Sequence, residues 1–426
     1  MNNPKFSAAA QRSSNQTISY LMEASFRYPD CISLAAGFVD ETTLPTRLVL
    51  DAAQRVLTPD ASGRSTLQYG TTPGPEPLRA VFRSHLARLE DDPAVDNLPL
   101  DRIMLTTGSQ QMLNLLSQVL FEPGDICLVA APTYFVYLSV LEGTGAEIIP
   151  IATDQQGIQP QGLETLLQTL KDQGKRSRIK LVYAVSYYDN PSGISISAER
   201  RKRLVQIVKN WSSPEQPLLL LEDTAYRELR YDGPVLPSLW SYDDTQKTVI
   251  LTHTFSKTFS PGLRIGLSVL PEFLVKPVSD LKGNEDFGSA RLNQHLVADV
   301  LQSGSYAAHV DQVIAGYTTK RDAMLAAAGE YFFDIPGVDW ERPAGGLYVW
   351  MSLPPKIQTG FDSWLFEYAT QTANVIYVPG ELCYPMSWPK RPRNQMRLSF
   401  GVESPDKIRE GIKRLASAVR HVTERA

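Results

Sequence analysis

A lysine, an arginine and two hydroxyl residues lie close together in residues 254–264. An apolar stretch precedes them, so a buried strand would hold the ammonium group of Lys257 near a site rather than in bulk water. A lysine whose pKa is lowered in this way is the residue type that forms Schiff bases. Arg264, Thr254 and Ser256 could donate hydrogen bonds to a phosphate. A lone lysine is more often a solvated loop residue, but its neighbours favour the chemical interpretation.

Two further segments carry groups that a lysine-bound aldehyde cofactor needs. Asp223 follows the apolar run 218–221, at the point where a parallel strand would open onto a ligand. A carboxylate there could keep a pyridine nitrogen protonated, so that the ring withdraws electrons. Asn190, in a turn followed by proline, could donate to a phenolate oxygen. Taken singly, Asp223 would more often cap a helix and Asn190 would be an ordinary turn residue.

Two other loops could hold an anion and an aromatic ring. Ser109 and Gln110 begin an amphipathic stretch, and the backbone N–H groups at the start of a helix bind anions. Tyr134 follows another apolar run and could stack on a ring, although a packed core tyrosine is equally compatible with its position.

Most of these residues come directly after short apolar runs that predict strands. The predicted strands are 103–106, 125–130, 146–150, 180–185, 218–221, 248–253 and 265–269. Amphipathic stretches between them predict helices at 110–120, 132–141, 162–171 and 198–210. This alternation indicates an α/β protein with a largely parallel sheet covered on both faces, in which ligands bind at the carboxyl ends of the strands.

The pattern changes near residue 305. A long helical stretch at 309–330 is followed by strands at 347–351 and 395–400, a helix at 361–373 and a closing helix from 405 onward. This succession is typical of a smaller α+β domain.

Composition excludes several classes of function. The 426 residues include 42 basic and 46 acidic ones, with a net charge of -4 at pH 7, which indicates no nucleic-acid partner. The three cysteines form no Cys-x-x-Cys pair, which favours a reducing compartment and argues against a thiolate metal site. The first residues do not resemble a secretory signal and no apolar run is long enough to span a bilayer. We therefore expect a cytoplasmic protein without a membrane or nucleic-acid partner.

The order of these motifs resembles that of the fold-type I pyridoxal-phosphate aminotransferases. It is most similar to the class I/II branch that includes kynurenine and 2-aminoadipate aminotransferases. The resemblance extends from about Ile32 to Arg397 and begins with the segment that ends at Gly37. The resemblance implies a large domain with a mostly parallel seven-stranded sheet between helices and a smaller α+β domain. It divides the chain into an N-terminal arm with part of the small domain (1–45), a large cofactor-binding domain (46–305) and a C-terminal small domain (306–426).

The resemblance also implies a role for each site residue. Lys257 would form an aldimine with pyridoxal 5'-phosphate and move the proton between the substrate Cα and the cofactor. Asp223 would pair with the pyridine nitrogen, and Asn190 and Tyr226 would bond the ring oxygen. Tyr134 would stack on the ring. The phosphate would be bound by Ser109, Gln110, Thr254, Ser256, Arg264 and, across a homodimer interface, Tyr69 of the partner subunit. The substrate would be bound by Gly37, Asn190 and Arg397, with Arg397 holding its α-carboxylate.

Two departures from the family pattern bear on the substrate. Asp189 stands where relatives usually carry a glutamine, and we interpret it as a solvated or turn residue. Ser19 stands where 2-aminoadipate-type relatives carry an arginine for the distal carboxylate, which favours aromatic or neutral aliphatic donors. Arg12, Arg27 or Arg291 could replace that arginine, although each is more often a surface residue.

The expected activity is a ping-pong transfer of an amino group from an L-amino acid to a 2-oxo acid. The alternative is another reaction of the same fold, such as a C–S lyase, another α/β-eliminating enzyme or a cyclopropane-forming enzyme. These enzymes would keep the same residues, because the reaction depends on which Cα bond lies perpendicular to the ring. A regulator with an aminotransferase-like domain is disfavoured by the charge of the chain.

Overall fold

The computed structural model describes residues 6–13, 28–58 and 60–425. The positions of Ser19 and Arg27, on which part of the donor argument depends, lie outside these residues. No helix in the described ranges is both long enough and apolar enough to cross a membrane.

Thirteen α-helices are present in the described ranges. In chain order, α1 to α13 are Ala8–Arg12, Thr46–Leu57, Asp60–Thr66, Glu76–Glu90, Gly108–Leu120, Phe135–Thr144, Pro160–Asp172, Ala198–Trp211, Glu272–Asp286, Arg291–Gln302, Ser305–Tyr331, Trp364–Gln371 and Pro405–Thr423. The four helices predicted between the early strands correspond to α5, α6, α7 and α8, with bounds that differ by at most three residues.

Fourteen strands are present in the same ranges. In chain order, β1 to β14 are Ile32–Ser33, Ile103–Thr106, Ile126–Ala131, Glu147–Asp154, Gly157–Ile158, Ile179–Val185, Leu219–Asp223, Val249–Thr254, Gly266–Val269, Asp339–Trp340, Tyr348–Ser352, Val375–Ile376, Val378–Pro379 and Gln395–Ser399.

The central sheet has the order β2-β9-β8-β7-β6-β3-β4-β5. The pairs from β8 to β4 are parallel, whereas β9 runs antiparallel to both β2 and β8. The predicted seven-stranded, mostly parallel sheet is thereby confirmed. The short β5 adds an eighth strand at one edge, antiparallel to β4.

The inner strands β6 to β9 of this sheet are buried on both faces, and successive side chains along each strand point to opposite faces. In β7, Leu219 and Leu221 pack in one hydrophobic cluster and Leu220 packs in the other. The polar residue that ends such a strand therefore comes directly after a rigid, desolvated segment. This arrangement holds site residues at the carboxyl edge of the sheet.

A second, four-stranded sheet has the order β10-β11-β14-β13 and follows the long helix α11. The N-terminal residues Ile32 and Ser33 form β1, which pairs in parallel with β12 at Val375 and Ile376. The segment after β1 is held against β14, since Ser399 N donates to Leu34 O at 2.7 Å.

Candidate active site

The loops at the carboxyl edge of the central sheet surround a cavity of about 870 Å³. Segments from the N-terminal residues 35–38 and from β11 and β14 close its other side. The cavity is lined by every residue predicted for the site except Tyr69, namely Gly37, Ser109, Gln110, Tyr134, Asn190, Asp223, Tyr226, Thr254, Ser256, Lys257, Arg264 and Arg397.

Donor groups converge at one end of this cavity. The α5 helix begins at Gly108, so its first N–H groups are free to bind an anion. Arg264 Nη1 donates to Ser256 Oγ at 3.3 Å, and the hydroxyls of Ser256 and Thr254 are 2.9 Å apart. A guanidinium, two hydroxyls and a helix N-terminus fit a phosphate group.

Two glycines allow these donors to come together. Gly108 has φ of 70°, and a Cβ there would lie 2.6 Å from Arg264 Nη2. A Cβ on Gly266 would lie 2.9 Å from the backbone nitrogen of Ser109. Real Cβ atoms do not come this close to backbone atoms, so Gly266 allows β9 to lie directly against the start of α5. The anion site therefore depends on glycine at both positions, 108 and 266.

Asp223 is the last residue of β7 and is 4% exposed. Its Oδ2 accepts from the Tyr183 hydroxyl and its Oδ1 from Ala225 N, both at 3.1 Å. Burial raises the pKa of Asp223 to about 6, although these hydrogen bonds oppose the shift. A carboxylate in this setting is a strong acceptor for a cationic N–H in the cavity.

Lys257 follows β8 and its Nζ donates to Gly37 O at 2.8 Å. Burial lowers the pKa of Lys257, and the guanidinium groups of Arg397 and Arg264 lower it further, against an opposing effect of Tyr348. At a given pH, a larger fraction of Lys257 is therefore in the neutral amine form, which is the nucleophilic form, than for an exposed lysine.

Arg397, on β14, is almost fully buried beside the cavity. It donates through Nη1 to Asn190 Oδ1 at 2.9 Å and through Nη2 to Ala35 O at 2.7 Å. Its guanidinium carbon lies 4.2 Å from the ring centre of Tyr348. Within the described residues its Nε has no hydrogen-bond partner. A planar cation fixed in this way can bind a carboxylate.

Tyr348 is a site residue that we did not predict from sequence. It lies in β11, and its hydroxyl is 3.2 Å from that of Tyr226. A Cβ on Gly37 would come within 3.0 Å of the same hydroxyl, so Gly37 leaves room for Tyr348. In sequence, a tyrosine in a short apolar strand is typical of a core residue, so nothing distinguished Tyr348 as a site residue.

Tyr69 and Arg291 lie elsewhere on the molecule. Tyr69 is 82% exposed, its backbone oxygen accepts from Arg291 Nη1 at 3.1 Å, and its ring is 6.3 Å from that of Phe287. Arg12 donates to Gly143 O at 3.0 Å. Neither Arg12 nor Arg291 lines the cavity of its own chain.

Asp189 fits one of its two sequence interpretations. It is a turn residue, with its Oδ2 accepting from Ser192 Oγ at 2.8 Å, but it is 7% exposed and thus not solvated. Burial raises the pKa of Asp189 to about 7. Of the two alternatives, the turn residue is therefore the one that the structure supports, because packing covers this turn.

Known proteins resemble the chain over nearly its whole length. The profile of the family described as aminotransferase class I and II matches residues 29–415. The aromatic-amino-acid aminotransferase 1 of Thermococcus litoralis is 34% identical over 393 residues, which cover 92% of this chain and 88% of that protein. The 2-aminoadipate transaminase of Thermus thermophilus is 32% identical over 419 residues, which cover 97% and 96%.

A solved structure shows the same similarity in three dimensions. The kynurenine aminotransferase of Pyrococcus horikoshii, in complex with PMP, KYN and KYA, has a TM-score of 0.87 and 33% identity, and covers 98% of this chain and 97% of its own. The profile, the relatives and this structure agree with the cavity and its donors. The chain therefore belongs to the class I and II aminotransferase family and is a pyridoxal-phosphate-dependent aminotransferase.

Proposed function

We propose that this aminotransferase transfers amino groups from aromatic or neutral aliphatic L-amino acids to 2-oxo acids, with Lys257 as its reacting amine. One observation carries the proposal: Lys257 Nζ lies in a cavity that also holds an anion site, a buried carboxylate and a buried guanidinium. These are the groups that a phosphorylated pyridine cofactor and an amino acid would require together.

The residues of the cavity divide the binding of the cofactor among them. Pyridoxal phosphate, when bound, supplies an electron-withdrawing ring that acidifies the substrate Cα–H bond. We assign Asp223 to the ring nitrogen, Asn190 and Tyr226 to the ring oxygen and Tyr134 to the ring face. We assign the phosphate to Ser109, Gln110, Thr254, Ser256 and Arg264. The buried carboxylate and the converging donors described above support these assignments.

Two basic side chains then act on the substrate. Arg397 binds the α-carboxylate, and the neutral amine of Lys257 removes the proton from Cα. The lowered pKa of Lys257 supports this role, because a base must be unprotonated when it acts. Arg397 orients the amino acid through its fixed contacts with Asn190 and Ala35.

The anion site makes a direct prediction for Gly108→Ala. The new Cβ would displace the Arg264 guanidinium, so we expect affinity for pyridoxal phosphate and for inorganic phosphate to fall by about 10- to 100-fold. Gly174→Ala is a matched control, since Gly174 has φ of 73° and nothing within 4 Å of its Cβ. Both changes place a side chain at positive φ, at a cost of about 1 kcal/mol. Equal affinities of the two variants, measured by titration calorimetry, would contradict the assignment.

The charges of the cavity support the preference for donors without a distal carboxylate. Among the described residues of one chain, three basic side chains line it: Arg264 at the phosphate, Lys257 at Cα and Arg397 at the α-carboxylate. No other described basic side chain of the same chain lines the cavity to pair with a second substrate carboxylate. Phe38, which is 64% exposed, contributes apolar surface at the rim.

A panel of amino acids tests this preference. We expect the rate at which each amino acid alone converts the bound cofactor to pyridoxamine phosphate to be about tenfold or more higher for aromatic and branched donors than for glutamate or 2-aminoadipate, because burying an unpaired carboxylate is costly. The rates are measured by stopped-flow spectroscopy. A higher rate for glutamate or 2-aminoadipate than for the neutral donors would show that another cation binds a distal carboxylate.

We also propose a homodimer with shared sites. Tyr69 and Phe287 form an exposed aromatic pair, and Leu67, two residues before Tyr69, is 66% exposed. Exposed apolar groups of this kind mark interaction surfaces. A second copy of the chain would cover them and bring Tyr69 of the partner subunit to the phosphate.

The division of the chain into 1–45, 46–305 and 306–426 is likewise a proposal. The pairing of β1 with β12 supports it, since residues 32 and 33 associate with the C-terminal part of the chain. Separate movement of the parts on substrate binding, followed by small-angle scattering, would support this division, whereas an unchanged profile would count against it.

We propose a cytoplasmic location. Cys31, Cys127 and Cys383 are all free thiols, which agrees with a reducing compartment. Cell fractionation with a specific antibody should find the protein in the cytoplasmic fraction. Its presence in another fraction would contradict the proposed location.

A further inference from the structure

A buried carboxylate lies behind the site, on the turn that follows β7. The Glu228 side chain is 7% exposed and does not line the cavity. Within the described residues, it forms with His85 and His253 a group whose ligand-type atoms lie within 4.8 Å of one another. The roles proposed above use none of these three residues.

One side of this group leads to Asp223. Glu228 Oε1 lies 3.1 Å from His253 Nε2, and His253 Nδ1 lies 3.0 Å from the hydroxyl of Thr224. Thr224 directly follows Asp223, and its hydroxyl also lies 3.0 Å from the backbone oxygen of Thr252. The end of β7 is thus tied to β8 through the imidazole.

The other side leads to Lys257. The Tyr306 hydroxyl donates to Glu228 Oε1 at 2.8 Å, and the same hydroxyl lies 2.7 Å from that of Thr258. Thr258 directly follows Lys257. Tyr306 stands in the first turn of α11, so this helix is tied to the segment that carries the lysine.

Glu228 is suited to hold both sides at once. Burial would raise the pKa of Glu228, but His85 and His253 hold it well below its usual value. The ionised carboxylate accepts hydrogen bonds only, so the Tyr306 hydroxyl and the His253 Nε2–H must both donate to it. Hydrogen bonds to a buried charge are stronger than neutral ones and fix their donors firmly.

We propose that Glu228 is a positioning residue that fixes Asp223 and Lys257 relative to each other. The two site residues must face one ligand from different strands, and the carboxylate joins the residues next to them in a single network. This inference rests on the proposed roles of Asp223 and Lys257 in cofactor binding. A displacement of about 1 Å between groups that act on one ligand costs about 100-fold in rate.

Binding of two ligands to the cofactor-free protein provides the test. We expect Glu228→Ala to weaken binding of pyridoxal phosphate by about 10- to 100-fold and to leave binding of inorganic phosphate unchanged, because phosphate contacts only the anion site. At saturating cofactor, kcat should fall by a similar factor. Glu228→Gln keeps an acceptor oxygen in place and should restore most of both losses.

Glu381→Ala is the matched control, because Glu381 is a buried carboxylate that pairs with Arg391 and Arg393 and does not line the cavity. This variant should keep both affinities and kcat close to the wild-type values, even if its thermal stability is lower. If Glu228→Ala does not fold, Tyr306→Phe removes one hydroxyl from the network and should lower pyridoxal-phosphate affinity and kcat in the same direction.

Three results would overturn the proposal. The first is an unchanged pyridoxal-phosphate affinity in the folded Glu228 variant or in Tyr306→Phe. The second is an equal loss for both ligands, which would indicate general destabilisation. The third is one equivalent of a divalent metal in the wild-type protein and none in Glu228→Gln, as measured by elemental mass spectrometry. Glu228, His85 and His253 would then form a metal centre. Failure of the wild-type protein to bind pyridoxal phosphate would instead contradict the proposed function itself.

Discussion

Lys257→Ala is expected to reduce amino-group transfer by at least about 10³-fold. The variant loses both the amine that bonds the cofactor and the base at the substrate Cα. Borohydride treatment followed by peptide mass analysis should attach the cofactor to residue 257 in the wild-type protein and to no residue in the variant. Lys175→Ala, which removes a partly buried lysine paired with Glu147, is the control and should keep full activity. Unchanged turnover in Lys257→Ala would refute the assignment.

The same variant tests the shared site. In a hybrid dimer of a Lys257→Ala chain and a Tyr69→Ala chain, one site keeps its lysine and receives Tyr69 of the partner subunit. Mixing two poorly active homodimers should then restore up to about a quarter of the wild-type activity, the share of intact sites expected for random assortment. If each chain used its own Tyr69, every site would carry a lesion and mixing would restore nothing.

Asp223→Asn should have the second largest effect. The amide cannot carry the negative charge that keeps a ring N–H protonated, so we expect kcat to fall by about 10²- to 10³-fold. Asp243→Asn replaces another buried carboxylate, one that accepts from Thr248 N and Val249 N away from the cavity, and should leave kcat unchanged. Equal kcat values for the two variants would contradict the role of Asp223.

The pKa of Asp223 also predicts a pH dependence. Burial raises this pKa to about 6, so the carboxyl group gains a proton as the pH falls through that value. The affinity of the cofactor-free protein for pyridoxal phosphate should therefore decrease below about pH 6 in the wild-type protein. Asp223→Asn should lack this decrease, since residue 223 no longer titrates.

Much of the fold followed from local patterns. Short apolar runs predicted the strands because parallel strands are buried on both faces, and polar residues after those runs marked the carboxyl edge. The strand predicted at 248–253 is β8, Val249–Thr254, so Thr254 lies at its very end. The prediction of Asp223 at a strand end is confirmed, because it is the last residue of β7.

The remaining features depend on contacts between distant segments. Tyr348 reaches the cavity from β11, where its hydroxyl meets that of Tyr226 across 122 positions of the chain. Asp189 is covered by packing that its neighbours in sequence do not indicate. Arg264 adopts a φ of 54°, which local composition does not predict. Such features arise from tertiary packing, which overrides local preference.

The central claim is that the enzyme moves an amino group onto its own cofactor. The most direct measurement mixes the purified holoenzyme with an aromatic L-amino acid in the absence of any 2-oxo acid and identifies the products by mass spectrometry. We predict one pyridoxamine phosphate and one 2-oxo acid per active site, and neither in Lys257→Ala. Unchanged pyridoxal phosphate, together with release of pyruvate and ammonia from a β-substituted amino acid, would contradict the claim and identify an eliminating enzyme of the same fold.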